Sequence, residues 1–292
     1  MRYYDYIVAD VHLRCSHDLV ELGLNGFRPF AVESNNTSPA VTINIYATPP
    51  PSIEGKAIAS SYLREADSNG SFMRTKNGYA YIVSRHDHKS ANALFQIDCA
   101  NNQAECYISI NDNTDIAILR FGLWVIYSIT IAPLRGIAIH SSAIAYEGRS
   151  ALFLGESGTG KSTHTRLWRE NIEGAHLLND DSPILRVVDG TPYAYGSPWS
   201  GKTPCYKNKR LPLAGLVRLS QAPHNKIKRV NTLLAIGALL PSCPHILATD
   251  DALQDEICTT LSQVIATTPV YRLECLPDAE AAALSCKTLF AR

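Results

Sequence analysis

Apolar and polar positions alternate along the first 112 residues, where β-branched and aromatic side chains are separated by turn-forming residues. A period of two places successive side chains on opposite faces of a sheet and is typical of half-buried strands. The pattern predicts strands at 6–11, 41–46, 79–83, 95–99 and 106–110. We therefore expect a mainly β N-terminal lobe over residues 1–112, available for substrate or partner recognition.

The pattern changes after residue 112, where the segment 116–134 is almost wholly apolar. Its length suggests a membrane span, but Arg120 and Gly122 lie inside it and Pro133 lies at its end. We expect instead a buried helix at about 115–132, packed under the domain that follows it.

Strand-like and helix-like segments are mixed in the rest of the chain, and we expect one α/β domain over residues 113–292. Glu147-Gly148-Arg149 and Asp189-Gly190 predict tight turns between strands. The predicted strands are 136–146, 150–154, 175–179, 184–188, 191–195, 213–219 and 269–274, and the predicted helices begin at 163 and cover 231–240, 250–265 and 278–289.

Composition limits the classes of function. The chain is 46% apolar and 18% charged, as soluble globular proteins are. The 27 basic residues balance the 27 acidic ones, so there is no net field to attract nucleic acid or a membrane surface. The eight cysteines form no CxxC pair, and charged residues occupy the N-terminus where a signal peptide would be apolar. We expect a cytoplasmic protein without a nucleic-acid or membrane partner.

The most informative motif lies between the predicted strand 150–154 and the predicted helix that begins at 163. It matches the Walker A pattern GxxxxGK[ST] and consists of Gly155, Glu156, Ser157, Gly158, Thr159, Gly160, Lys161, Ser162 and the adjoining Thr163. In this setting backbone N–H groups and the helix N-terminus bind phosphates, Lys161 reaches the β- and γ-phosphates, and the Ser162 hydroxyl binds Mg²⁺. The motif predicts a nucleotide site with ATP and Mg²⁺ as cofactors.

An acidic pair, Asp180 and Asp181, ends the next predicted strand. A phosphate loop needs an acidic partner at a strand end to hold Mg²⁺. Few residues separate Lys161 from this pair in the sequence, which leaves room for only one helix and one return strand. Many motor and transport NTPases place the corresponding acid much further along the chain. Two carboxylates allow one to support the metal and the other to accept a proton from a hydroxyl. The alternative is a solvated turn.

Three further groups of residues are weaker candidates for functional sites. His140 lies in an apolar strand beside the loop strand, where it is either a core residue or part of the site. A downstream loop rich in small residues contains Ser197 and Lys202, which together with Arg210 could meet a phosphate or substrate, unless the loop is simply solvated. The segment 86–88, His-Asp-His, is expected to be an exposed turn rather than a metal site.

These motifs together resemble the HPr kinase/phosphorylase-related family, which shares its nucleotide-binding fold with ATP-dependent phosphoenolpyruvate carboxykinase. The resemblance covers about 115–290 and rests on HSS at 140–142, GESGTGKST at 155–163, LNDD at 178–181 and GSPWSGK at 196–202. It implies an α/β P-loop domain with a mixed sheet, in which 155–163 bind phosphates, Ser162 and Asp181 hold the metal, Asp180 is the base and His140 lies near the transferred phosphoryl group.

The resemblance does not extend to every feature of that family. The glycine-containing segment and the arginine-rich loop of true HPr kinase/phosphorylases have no counterpart here, so HPr is not the expected acceptor. We predict an ATP- and Mg²⁺-dependent kinase acting on a hydroxyl, such as a serine of a small molecule, peptide or protein. The alternatives are a carboxykinase-like lyase and a non-catalytic nucleotide-binding regulatory protein, and homo-oligomer formation is left open.

Overall fold

The computed structural model describes residues 2–34, 37–63, 66–85, 92–201 and 203–291. Two compact units divide the chain, Met1–Pro133 with Thr249–Leu253 and Leu134–Ala248 with Gln254–Arg292. This boundary after Pro133 differs from the sequence-based boundary after residue 112. The difference arises because the apolar helix packs on the N-terminal sheet.

In the described part of the first unit, nine strands form one sheet that is mostly antiparallel. Its strands are β1 (Tyr4–Val8), β2 (Val11–Cys15), β3 (Ala31–Val32), β4 (Val41–Tyr46), β5 (Lys56–Leu63), β6 (Ser68–Arg74), β7 (Gly78–Arg85), β8 (Ala93–Asp98) and β9 (Gln103–Ile108). Their spatial order is β3-β1-β2-β4-β9-β8-β7-β6-β5. The pairs β2–β4 and β4–β9 are parallel.

The predicted mainly β lobe is confirmed, with one correction and several additions. The predicted strand 6–11 is in fact the end of β1 and the start of β2, because Ala9 and Asp10 have φ values of 48° and 61° and form a tight turn. The alternation did not reveal β5 and β6, which are rich in serine, alanine and asparagine rather than in strand-forming residues.

Helix α1 (Asn113–Ile131) covers this sheet and begins with a capping box between Asp112 and Asp115. Gly122 permits its close approach to β8, since a Cβ there would lie 2.3 Å from the Phe95 ring. By length and composition Asn113–Leu134 could cross a membrane, but 61% of its most apolar window is buried in the protein. The predicted buried helix is therefore present, but it belongs to the N-terminal unit and packs on the sheet of that unit, whereas the sequence analysis assigned it to the domain that follows.

Nine strands in the described part of the second unit form a mixed sheet. They are β10 (Gly136–Ala138), β11 (Ser141–Tyr146), β12 (Arg149–Leu154), β13 (His176–Asp181), β14 (Ile184–Val188), β15 (Thr191–Tyr195), β16 (Arg210–Gln221), β17 (Lys226–Arg229) and β18 (Val270–Cys275). The order is β10-β14-β15-β16-β12-β11-β13, and β18 pairs with both β16 and β17. The chain is thus a mixed α/β protein with two large mixed sheets.

Four helices belong wholly or mostly to this second unit: α2 (Lys161–Asn171), α3 (Thr232–Leu239), α4 (Asp251–Thr267) and α5 (Ala279–Leu289). The predicted strand 136–146 breaks at Ile139 and His140, because β10 pairs with β14 whereas β11 pairs with β12 and β13. The turn at Asp189-Gly190 is confirmed, with φ values of 48° and 76°.

A buried cluster joins α2 and α5 to the central strands β12, β16 and β18. The fully buried Trp168 packs against Phe153 and Phe290, and its indole N–H donates to Ser285 Oγ and His164 Nε2 at 2.9 and 3.2 Å. Because an indole N–H can only donate, His164 Nε2 is an acceptor here and the ring is neutral. This packing fixes α2, and with it the segment that opens the helix.

Because neutral His164 is buried, we expect the folded protein to lose stability in mild acid. Burial lowers the pKa of His164 from 6.5 to about 4, so the unfolded chain takes up the proton first as the pH falls. The stability that depends on neutral His164 is fully present above pH 6.5 and is lost as the pH falls towards 4. The loss amounts to about 3 kcal/mol of unfolding free energy. Denaturant titrations at pH 7 and pH 4.5 measure it. His164→Gln should flatten this dependence, while the exposed His176→Gln should leave it unchanged.

Candidate functional site

The loop between β12 and α2 has the backbone that a phosphate site requires. Gly158 and Gly160 have φ values of 85° and 98°, in the left-handed region that favours glycine. A Cβ at either position would meet no atom within 4 Å, so the space beside both glycines is open. Lys161, the first residue of α2, donates from Nζ to the carbonyl oxygens of Gly155 and Glu156 at 2.8 and 3.0 Å.

The pKa of the Lys161 ammonium group is lowered from its usual value. Its burial lowers the pKa of the ammonium group, and the nearby Arg218 acts in the same direction. The carboxylates of Asp181 and Asp180 oppose this shift. Arg218 and the two carboxylates of the acidic pair are therefore close enough to Lys161 to affect its protonation.

Asp180 joins the loop helix to the adjoining strands through serine hydroxyls. Ser162 Oγ and Ser142 Oγ each donate to Asp180 Oδ1 at 2.9 Å, and Thr165 Oγ1 lies 2.9 Å from Ser142 Oγ. Antiparallel pairing of β11 with β13 sets Ser142 opposite Asp180. Asp180 is only 3% exposed, so its carboxylate is held in one orientation next to Ser162.

Asp181 contacts a different partner. Its Oδ1 lies 3.4 Å from His140 Nδ1, and both side chains remain about half exposed. The pKa of His140 is lowered from its usual value, because burial and the charge of Lys161 outweigh the opposing effect of Asp181. The φ of Asp181 is 145°, which is rare for a residue with a side chain, and such strain is concentrated at functional sites.

The loop after β15 supports the acidic pair. Gly201 N donates to Asp180 O at 2.5 Å, and Ser200 Oγ lies 3.1 Å from the same oxygen. Ser197 is fully buried and donates from Oγ to Ser182 O at 2.6 Å. Ser197 therefore shapes the loop rather than facing the phosphate loop, and Lys202 lies outside the described residues.

Asn179, a residue that the motif analysis did not single out, fixes this loop from within β13. Its Nδ2 lies 3.0 Å from Trp199 O and 3.3 Å from Ser197 O, and its Oδ1 accepts from Ser182 N at 3.1 Å. Full burial of this amide means that its bonds cannot be replaced by water. Asn179 thus positions the backbone on both sides of the acidic pair.

Of the two arginines of β16, Arg210 begins the strand and Arg218 lies in its second half. Its parallel pairing with β12 sets Leu213 beside Ser150 and Arg218 beside Leu154, the residue before the loop. Arg210 therefore lies at the end away from the loop, where it stacks on Tyr193. Arg218 Nη2 lies 3.8 Å from Glu156 Oε1, and its Nη1 donates to Ala238 O.

Arg218 is the functional candidate that sequence reasoning missed. Its only signal is a charged residue inside the apolar run LVRLS, and its relation to the loop depends on the strand pairing.

The oxygen ligands present fit a magnesium ion bound with phosphate. A hydroxyl and a carboxylate, Ser162 and Asp180, are hard oxygen donors, and Mg²⁺ in such sites keeps several waters and takes substrate phosphates as ligands. Within the described ranges, no group of three or more His, Cys, Asp or Glu side chains could hold a metal ion alone. The sequence segment 86–88, expected to be an exposed turn, lies outside the described residues.

Comparison with known proteins adds a distant structural likeness. No protein-family model matches the chain, and no curated protein matches it. Among solved structures, the Hpr(Ser) kinase/phosphatase from Coxiella burnetii is similar, with a TM-score of 0.30 and 12% identity over 52% of this chain and 91% of that chain. A likeness this weak assigns neither family nor activity, and the functional conclusion rests on the site itself.

Proposed function

We propose that the second unit is an ATP- and Mg²⁺-dependent kinase domain of the HPr kinase/carboxykinase-like type, which phosphorylates a hydroxyl group such as that of serine. One observation carries this proposal: Asp181 and His140 lie beside a phosphate loop whose Ser162 already contacts Asp180. A site that only bound nucleotide would have no need of the second carboxylate.

Each residue of the loop has a separate role in this proposal. The backbone N–H groups of 155–160 and the N-terminus of α2 hold the β- and γ-phosphates. Lys161 turns from the carbonyls it now contacts and neutralises charge on the γ-phosphate. Ser162 and Asp180 hold the magnesium ion, which when bound supplies positive charge to the phosphates.

The acceptor side belongs to Asp181. The acceptor oxygen attacks the γ-phosphorus, the bond from that phosphorus to the bridging oxygen breaks, and ADP leaves. Asp181 takes the hydroxyl proton, and His140, 3.4 Å away, orients the carboxylate. These roles reverse the sequence-based assignment, in which Asp180 was the base and Asp181 the metal ligand.

Transfer from γ-labelled ATP tests the proposal directly. The protein is incubated with ATP and Mg²⁺ against free serine, HPr and serine-containing peptides encoded beside its gene, and mass spectrometry locates any phosphate gained. We expect phosphate on a hydroxyl of at least one acceptor. ATP binding with no transfer to any acceptor would favour the regulatory alternative, and nucleotide-dependent CO₂ release from oxaloacetate would favour the lyase.

A further inference from the structure

A cleft of about 560 Å³ adjoins the phosphate loop and extends from Gly158 and Gly160 along the first turns of α2. The ends of β16 and β18 form its far wall. This volume is in the range of small-molecule sites, which is about 300–1,000 Å³.

The topology explains why the cleft lies there. Strands β12, β16 and β18 are parallel neighbours, so their carboxyl ends meet at one edge of the sheet. The phosphate loop follows β12, and the cleft lies outside the ends of the other two strands. In α/β sheets this crevice is where ligands bind. A nucleotide with its phosphates in the loop has its nucleoside within reach of the cleft.

The chemistry of the cleft suits a neutral, flat, partly polar group. Leu167, Leu219, Ala222, Leu276 and Pro277 supply apolar surface to its walls. Among the described residues that line it, none carries a carboxylate, an ammonium or a guanidinium group. The walls therefore favour an aromatic base over a charged ligand.

Gln221 is the amide at the edge of this cleft. Its Nε2 now donates to the carbonyl oxygen of Gly158 at 3.2 Å, a bond on the exposed side of the loop. A glutamine amide both donates and accepts, which matches the N6 and N7 edge of adenine. Guanine presents N–H donors at N1 and N2, and no carboxylate among the described lining residues would accept from them.

We propose that this cleft holds the purine base of the phosphoryl donor and selects adenine through Gln221. The inference rests on the proposed function in one respect, namely that the phosphate loop binds the triphosphate of the nucleotide. It concerns binding, so it can be tested without phosphoryl transfer.

The test compares binding of MgATP, MgGTP and magnesium tripolyphosphate by titration calorimetry. Tripolyphosphate fills the loop but has no base. We expect the wild-type protein to bind ATP at least about tenfold more tightly than tripolyphosphate, a gain that a well-packed base readily provides. Leu276→Trp, which fills the cleft, should remove this advantage and leave the tripolyphosphate Kd unchanged.

A matched control and a second variant keep the result interpretable. Leu134 is 40% exposed and Leu276 is 39% exposed, so Leu134→Trp adds an equally exposed indole away from the cleft and should change nothing. Gln221→Ala should reduce the preference for ATP over GTP by about threefold to tenfold, as expected for the loss of one or two hydrogen bonds.

The outcomes separate this inference from the proposed function. Equal affinity for ATP and tripolyphosphate in the wild-type protein, or no effect of Leu276→Trp on ATP, would overturn the base site while leaving the phosphate loop intact. Binding of neither ligand would overturn both. Base-dependent binding without phosphoryl transfer to any acceptor would support the cleft and remove the kinase proposal.

Discussion

Replacement of Lys161 by alanine is expected to lower kcat for phosphoryl transfer by about a thousandfold or more while the protein stays folded. The ammonium group is the one charge of the loop that can reach the γ-phosphate, and charge that is positioned in advance is the largest single contribution to this chemistry. Helix α2 keeps its place because its anchor, Trp168, lies in the buried cluster two turns further on.

The measurement combines initial rates with a thermal unfolding scan. Arg166→Ala is the matched control, because Arg166 lies on the same helix and pairs with Glu170 at an exposed position. The control should retain nearly full activity. Wild-type rates in Lys161→Ala would show that the loop does not handle the transferred phosphate.

The local parts of this site could be predicted from sequence because they are encoded in contiguous residues. A strand, a glycine-rich loop and a helix follow one another in GESGTGKST and its flanks, and each has its own signal. The acidic pair was equally accessible, since a short β-strand ends at it. The structure places Ser162 2.9 Å from Asp180, which brings these two motifs together.

The parts of the site that the sequence could not resolve depend on pairing between distant segments. The sequence favoured Arg210 as a phosphate candidate, and only the parallel register of β16 with β12 shows that Arg218 is the arginine nearer the loop. The same holds for the division between Asp180 and Asp181. Adjacent residues point to opposite faces of a strand, and the partner of each is decided by β11 and by the break at His140.

The cleft beside the loop was equally inaccessible to sequence reasoning. Its walls come from α2, from the end of β16 and from the segment after β18, which are far apart in the chain. The sequence around Leu167 and around Leu276 shows only ordinary apolar residues. Gln221 can be recognised as a residue of the cleft only because the pairing of β16 with β18 places the ends of both strands together.

Asp180→Asn and Asp181→Asn are expected to fail in different ways, and this comparison tests the assignment of roles. Asparagine at 180 keeps one oxygen for Ser162 but loses the negative charge, so the Mg²⁺ concentration needed for half-maximal rate should rise about 10- to 100-fold. Asparagine at 181 cannot accept the hydroxyl proton. It should lower kcat by about 10²- to 10⁴-fold with the Mg²⁺ dependence unchanged.

Rates measured across a Mg²⁺ titration, with ATP binding followed in parallel, separate the two effects. ATP affinity at saturating Mg²⁺ should stay within about threefold in Asp181→Asn, because this carboxylate contacts His140 rather than Ser162. The opposite pattern, with altered Mg²⁺ dependence in Asp181→Asn and a pure kcat loss in Asp180→Asn, would make Asp180 the base. Full activity in both variants would contradict any role of the pair in transfer.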